Sequence, residues 1–230
     1  MSYHTNTVRL RGVVNALGSW KDKVVFVGGA TVSLYATRPL AVTVRPTDDV
    51  DVVVELVSTS QFYELQEHLL KLGFKNDMES KIISRFLLQG LKVDFMPTDP
   101  SILGFSNQWY PEGVKTSIEH TIDNAAPIRI FTSPYFIASK MEAFKTRGES
   151  DLYASHDLED IVFVLDHRDS IEEELINSDQ KVKEYLKEEF TALLNNKSFE
   201  EALLGHVEQS DQMKRKDRII KILKNFRSNF

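Results

Sequence analysis

Cysteine is absent from the chain. That excludes disulfides, thiolate nucleophiles and cysteine-ligated metals, and constrains the redox compartment only weakly. Long apolar runs are missing too: no stretch approaches the roughly 18 residues that a membrane-spanning helix needs. The opening residues, MSYHTNTVRLRGVV, contain no apolar secretion segment. A cytoplasmic protein without membrane association is the default expectation. Positive charge is in deficit, with 28 Lys and Arg against 34 Asp and Glu. The resulting net charge of −6 does not exclude a nucleic-acid partner, because local basic surface is what meets phosphates. Proline is sparse, and none follows Pro134, so no proline breaks a helical period in the C-terminal part.

What is present is the composition of a globular protein, 42% apolar and 27% charged over 230 residues. That length supports one large domain or two small ones. Val8 to Leu17 reads as a first helix closed by Gly18. Lys23 to Val27 is a short apolar run suited to a buried strand, followed by Gly28-Gly29 and a helix over ATVSLYATR. Asp49 to Leu56 is a strong strand pattern. Thr59 or Ser60 is positioned to cap a helix from Gln61 to Leu72, which Gly73 ends. Two strands follow, KIISRFLL and LKVDFM, with Gln89-Gly90 as the tight turn between them. Residues 97–124 are rich in Pro, Gly, Asn and Ser and read as a long excursion with little regular structure. Ile128 to Phe131 makes one more short strand.

The texture changes near residue 131. Pro134 suits the first turn of a helix running to about Thr146. Ser155 and Ser170 are placed to cap two further helices, and KVKEYLKEEFTALL is amphipathic. The expected architecture is therefore α/β (α+β): a mixed β-sheet core over residues 1–131, then a helical region over 132–230. Charge is unevenly spread. Residues 149–190 hold 14 acidic and 4 basic side chains, whereas the last twenty hold 7 basic and 2 acidic. Both runs fit solvated helix faces. The basic one, with Lys214, Arg215, Lys216 and Arg218, also fits a nucleic-acid contact.

Two features carry chemistry. Asp49 and Asp51 lie two apart in a strand, which puts both carboxylates on one face and turns Val50 and Val52 toward a core. Asp94 lies in another strand among apolar neighbours, where a lone carboxylate is costly unless paired. Brought together, the three repel one another, and magnesium with its preference for oxygen ligands resolves the conflict. Two such ions suit a triphosphate and an attacking hydroxyl. The alternative is that these aspartates are edge-strand charges or turn caps. The second feature is Gly28-Gly29 between strand and helix, which permits close backbone approach and offers helix N-terminal amides to a phosphate, with Ser33 one turn in. The segment is neither a Walker loop nor a dinucleotide fingerprint, since no GKS or GKT follows and the third glycine is missing.

Taken together, Gly28-Gly29, then Asp49-Val50-Asp51, then Asp94 in a later strand resemble the nucleotidyltransferase superfamily. The sequence is more closely similar to its AbiEii-like branch, toxin components of abortive-infection and toxin-antitoxin pairs. RPTDDVDVVVE matches that branch's arginine-x-threonine-x-aspartate-x-aspartate segment through Arg45, Thr47, Asp49 and Asp51, and the helical block matches through Lys140, Ala143, Arg147 and Asp160. The resemblance covers roughly residues 22–166. The common superfamily start is glycine-serine where this chain has glycine-glycine, a form frequent in the AbiEii-like branch. The resemblance implies that Asp49 and Asp51 hold metals and that Asp94 helps deprotonate or orient the acceptor hydroxyl. It implies that Gly28 and the backbone beside it at Gly29 cradle phosphates, where Ser33 is placed to add its hydroxyl. Lys140 and Arg147 would meet the nucleotide, Asp160 would support Lys140 or the nucleotide, and the helical region would complete the cleft. Read by itself, Lys140 also fits a lysine snorkelling to solvent, and Arg147 a surface partner of Glu149 or Asp151. His156 fits a polar helix end as well as a site.

Three functions are compatible with these residues. The first is a magnesium-dependent nucleotidyltransferase that moves an NMP from an NTP to a hydroxyl of RNA, tRNA or protein; the resemblance adds a toxin role and a cognate antitoxin partner. The second is a small-molecule nucleotidyltransferase of the antibiotic-modifying type. The third is a non-catalytic nucleotide-binding or partner-binding module, which requires the three aspartates to be dispersed in space.

Overall fold

A seven-stranded mixed sheet carries the carboxylates. The computed structural model describes residues 2–37, 44–122, 127–147 and 150–229. They divide into two compact units, Met1–Leu34 with Thr43–Thr132, and Tyr35–Val42 with Ser133–Phe230.

In the first unit the strands are β1 (Val24–Val27), β2 (Asp49–Val54), β3 (Lys75–Asn76), β4 (Arg85–Leu88), β5 (Leu91–Pro97), β6 (Ile118–His120) and β7 (Ile128–Ile130). Their order is β3-β4-β5-β2-β1-β7-β6. β2 runs parallel to β5 and antiparallel to β1, so the central strands meet both ways. All four residues of β1 are buried, as its unbroken apolar run requires. In β2, Asp49 and Asp51 alternate with buried Val50 and Val52, as the two-residue period dictates. The β4–β5 hairpin turns at Gln89 and Gly90, whose φ values of 51° and 88° are those of a primed two-residue turn. Phe95 packs edge-on against Phe74 and Phe86 at 5.6 and 5.5 Å between centroids.

The helices of this unit depart from the sequence expectation in informative ways. The first, α1, spans Ser2–Leu17 and begins well before Val8. Polar SYHTNT has no apolar period, but Asn6 is fully buried and anchors that turn. Its side-chain nitrogen donates to the carbonyl of Arg45 at 3.0 Å, and its oxygen accepts from the amide of Thr47 at 3.1 Å. The helix α2, Thr59–Lys71, is capped by Ser58, whose hydroxyl accepts from the Gln61 amide, while the Gln61 side chain accepts from the Val57 amide at 2.7 Å. Thr59 and Ser60 are therefore inside the helix. The segment expected to lack regular structure contains α3 (Pro100–Leu103), α4 (Tyr110–Lys115) and β6. Here the apparent breakers act as punctuation: Asp99 caps α3, Pro100 opens it and Gly104 closes it at φ 80°. Of the strand expected over residues 81–88, the last four residues are extended. From the second glycine of the pair the chain forms a 3₁₀ stretch, Gly29–Tyr35, rather than an α-helix. Both the amide and the hydroxyl of Thr31 bond the Gly28 carbonyl three residues back, which tightens that turn.

The second unit consists of α5 (Ser133–Arg147), α6 (His156–His167), α7 (Ile171–Ile176), α8 (Gln180–Asn195), α9 (Phe199–His206) and α10 (Gln212–Ser228). Ile161, Leu165, Leu186, Phe190, Leu223 and Phe226 form much of its core, with Phe190 and Phe226 edge to face at 5.6 Å. Ser155 caps α6 through the Leu158 amide. Ser170 makes no such bond; its hydroxyl is drawn instead to Glu174 at 2.6 Å, because that carboxylate also gathers Ser133 and Arg168. Among the described residues, no helix is long and apolar enough to cross a membrane.

Candidate active site

Asp49, Asp51 and Asp94 converge. One carboxylate oxygen from each lies within 4.8 Å of the others. The register explains it: Asp51 stands opposite Asp94 across the parallel β2–β5 pair, and Asp49 lies two residues back on the same face. Asp49 is held from behind, where the Thr47 hydroxyl donates to its carbonyl at 3.0 Å and Asn6 fixes Thr47. Asp94 is 6% exposed, while Asp49 and Asp51 are half-buried. Asp48, by contrast, is an exposed bend residue, 3.9 Å from Arg9.

Gly28 borders this cluster from β1. A Cβ at that position would lie 1.9 Å from Oδ2 of Asp51, and its φ is +72°. Both facts demand glycine. The missing side chain leaves the space into which the Asp51 carboxylate projects. Ser33, expected to add a hydroxyl near the glycines, is buried in the 3₁₀ stretch, and its Oγ has no hydrogen-bond partner.

A fourth residue completes the cluster and was not among those the sequence singled out. Arg85 of β4 faces Asp94 across the hairpin. Its Nε donates to Oδ1 of Asp94 and its Nη2 to Oδ2, both at 2.8 Å, and Nη2 also reaches Oδ2 of Asp49 at 3.3 Å. The bond to Asp94 raises the Arg85 pKa; burial opposes, and the fields of Asp94, Asp49 and Asp51 add to the rise. The signal was there to be counted: a two-residue turn at 89–90 pairs 88 with 91 and hence 85 with 94.

The helical unit holds a separate charged cluster. Lys140 of α5 is 8% exposed, and its Nζ lies 2.9 Å from Asp157 and 2.7 Å from Asp160 of α6. Burial pushes the lysine pKa down, but the attraction of Asp160 and Asp157 outweighs it, and the net shift is upward. Lys140 is thus not a snorkelling surface lysine. The sequence pointed to Asp160 but passed over Asp157, although the two share a helix face at a spacing of three. His156 is an exposed helix-end residue 3.1 Å from Glu159. The side chain of Arg147 lies outside the described residues.

The basic C-terminal run is largely engaged within its own unit. Arg215 bonds the buried carboxylate of Asp166 and Glu208, and Arg218 bonds the carbonyl of Asp166. Lys214 pairs with Asp211 at 3.0 Å, and Lys216 lies 3.6 Å from Glu200. Arg215 and Arg218 thus neutralise the buried Asp166, while Lys214 stays largely exposed in its pair with Asp211.

No family model matches the sequence, and no curated protein is significantly similar to it. Solved structures are. JHP933 from Helicobacter pylori superposes with TM-score 0.52 at 13% identity, over 99% of this chain and 92% of that one. An antigenic nucleotidyltransferase-like protein from Paracoccidioides brasiliensis gives 0.48 at 14% identity, over 93% and 99%. The antibiotic-resistance factor ANT(2'')-Ia gives 0.47 at 14% identity, over 71% and 84%. At these identities the likeness to JHP933 is one of fold: a mixed α/β sheet followed by helices.

Proposed function

We propose that this chain is a divalent-metal-dependent nucleotidyltransferase, moving an NMP from a nucleoside triphosphate to an acceptor hydroxyl. One observation carries the reading: three carboxylates from adjacent strands bring their oxygens within 4.8 Å of one another, beside a glycine whose Cβ position the Asp51 carboxylate fills. The donor set is all oxygen, as hard cations require, and it fits magnesium. Asp49, Asp51 and Asp94 would hold the ions. Once bound, magnesium supplies charge neutralisation on the phosphates and a more acidic acceptor hydroxyl.

The rest of the chemistry falls to the chain. The acceptor oxygen forms a bond to the α-phosphorus, the bridging bond to the β-phosphate breaks, and pyrophosphate leaves with that electron pair. Asp94 is assigned to orient the acceptor hydroxyl or to take its proton, since each of its oxygens keeps a lone pair beside its bond from Arg85. Gly28, Gly29 and Ser33 are assigned to the phosphates; the buried Ser33 hydroxyl without a partner supports its share. Lys140, supported by Asp160, and Arg147 are assigned to the nucleotide on the motif resemblance. The same resemblance brings a toxin role with a cognate antitoxin, and the favoured acceptor in this reading is RNA or tRNA.

The test offers each of four α-labelled nucleoside triphosphates with Mg²⁺ and total RNA or cell lysate. Label in RNA supports the favoured acceptor, and label in a small product selects the antibiotic-type alternative. The Asp51→Asn protein should lose metal binding and transfer together. If it binds metal and nucleotide as tightly as the parent, Asp51 is not a ligand and the mechanism fails. No metal-dependent binding of any triphosphate would overturn the transferase reading, although the three aspartates are not dispersed as a non-catalytic module requires.

A further inference from the structure

Arg85 bonds the oxygens that a metal would use. Its guanidinium takes both oxygens of Asp94 and one of Asp49. The arginine side chain is 15% exposed and that of Asp94 is 9%, so the pair sits in a medium that screens poorly. Three carboxylates whose oxygens lie within 4.8 Å of one another repel, and a counter-charge placed among them relieves that repulsion. The hairpin provides one from within the sheet. A guanidinium is planar and bidentate and carries a single charge. It satisfies the carboxylates well enough to hold them, and less strongly than a divalent ion bound to all three.

We propose that Arg85 is a built-in counter-ion that competes with the metal: it holds Asp94 and Asp49 in place in the metal-free protein, and must withdraw Nη2 from Asp49 when the metal arrives. It is a positioning residue, since it acts through the carboxylates. The inference rests on the metal-binding reading above and adds a direction to it. Deleting the arginine charge tightens metal binding while weakening the metal-free fold. A residue that merely braced the ligands would do the opposite to metal affinity.

The experiment is a Mn²⁺ titration of the full chain, followed by calorimetry and by the electron paramagnetic resonance of free Mn²⁺, beside thermal melts with and without metal. Arg85→Gln should bind Mn²⁺ about tenfold or more tightly than the parent, from loss of one charge at a few ångströms. Its metal-free melting temperature should fall, and Mn²⁺ should recover more of the loss than it adds to the parent. Arg85→Lys, which keeps the charge without the fork, should fall between. Should Arg85→Gln not fold, the parent suffices: the Arg85 Nε–H resonance, absent from Arg85→Lys, should move on adding Mg²⁺. An unmoved resonance would overturn the inference. So would equal or weaker Mn²⁺ binding by Arg85→Gln with a metal-binding parent, and the metal site itself would then stand. Binding by the variant but not the parent would support the inference in its strongest form. Binding by neither would bring down the metal site and this inference together.

Discussion

The Cβ that Gly28 lacks would lie 1.9 Å from Oδ2 of Asp51. The glycine just past β1 and the aspartate on neighbouring β2 are therefore one feature, and the contact sets the position of a candidate ligand. Gly18 offers an internal comparison, because it too has positive φ, at +54°, but nothing lies within 4 Å of its Cβ position. Gly18→Ala should cost about 1 kcal/mol, from backbone strain alone. Gly28→Ala should cost about 2 kcal/mol or more in urea unfolding, and should also weaken Mn²⁺ binding, since the Asp51 carboxylate must move. Equal losses in the two variants, with Mn²⁺ binding intact in both, would refute the linkage.

Asp51 and Asp94 are opposite one another, yet their isosteric substitutions should differ. Asp51→Asn removes a repelling charge and should leave the metal-free protein as stable as the parent or slightly more so. Asp94→Asn strips Arg85 of its bidentate partner and should cost about 3 kcal/mol, the range for breaking a buried pair from one side. Thermal melts in chelator compare the two directly.

Lys140 neutralises two carboxylates in the helical unit. Lys140→Met leaves Asp157 and Asp160 without their cation and should destabilise by about 3–5 kcal/mol. Adding Asp160→Leu should return part of that loss, as paired apolar replacement does. The pH dependence has a definite sign. The folded pKa lies above the ordinary lysine value of 10.5, so the contribution is complete below that value and fades as pH climbs through the higher folded one. Urea unfolding of parent and variant should therefore differ by a constant amount from about pH 6 to about pH 9.

Glu174 behaves in the opposite sense. Burial raises its pKa, but bonds from Arg168, Ser133 and Ser170 prevail and hold it below its ordinary 4.5. Its contribution is complete above that value and is lost as pH falls through the lower folded one. Glu174→Gln should lower stability at neutral pH by about 1–2 kcal/mol, allowing for partial exposure. It should also flatten the loss of stability below pH 4.5, as urea titrations across that range would record.

Much of this protein is written in local pattern. The alternation of Asp49, Val50, Asp51 and Val52 set the two carboxylates on one face, because side chains in a strand alternate whatever their surroundings. Gln89-Gly90 made a hairpin for a reason internal to two residues, and Ser155 and Pro134 marked helix starts in the same way. What the sequence left open depended on partners far along the chain. The start of α1 was set by Asn6 reaching Arg45 and Thr47, about forty residues away, and no local propensity encodes such a bond. Ser170 lost its capping role to Glu174, and Arg215 of α10 was claimed by Asp166 and Glu208. Only the pairing of β2 with β5 brought Asp94 to Asp51, and only the hairpin laid Arg85 over both Asp94 and Asp49. Periodicity determines which way a side chain faces; strand order and register decide which charges meet, and charges interact across space without regard to their distance along the chain.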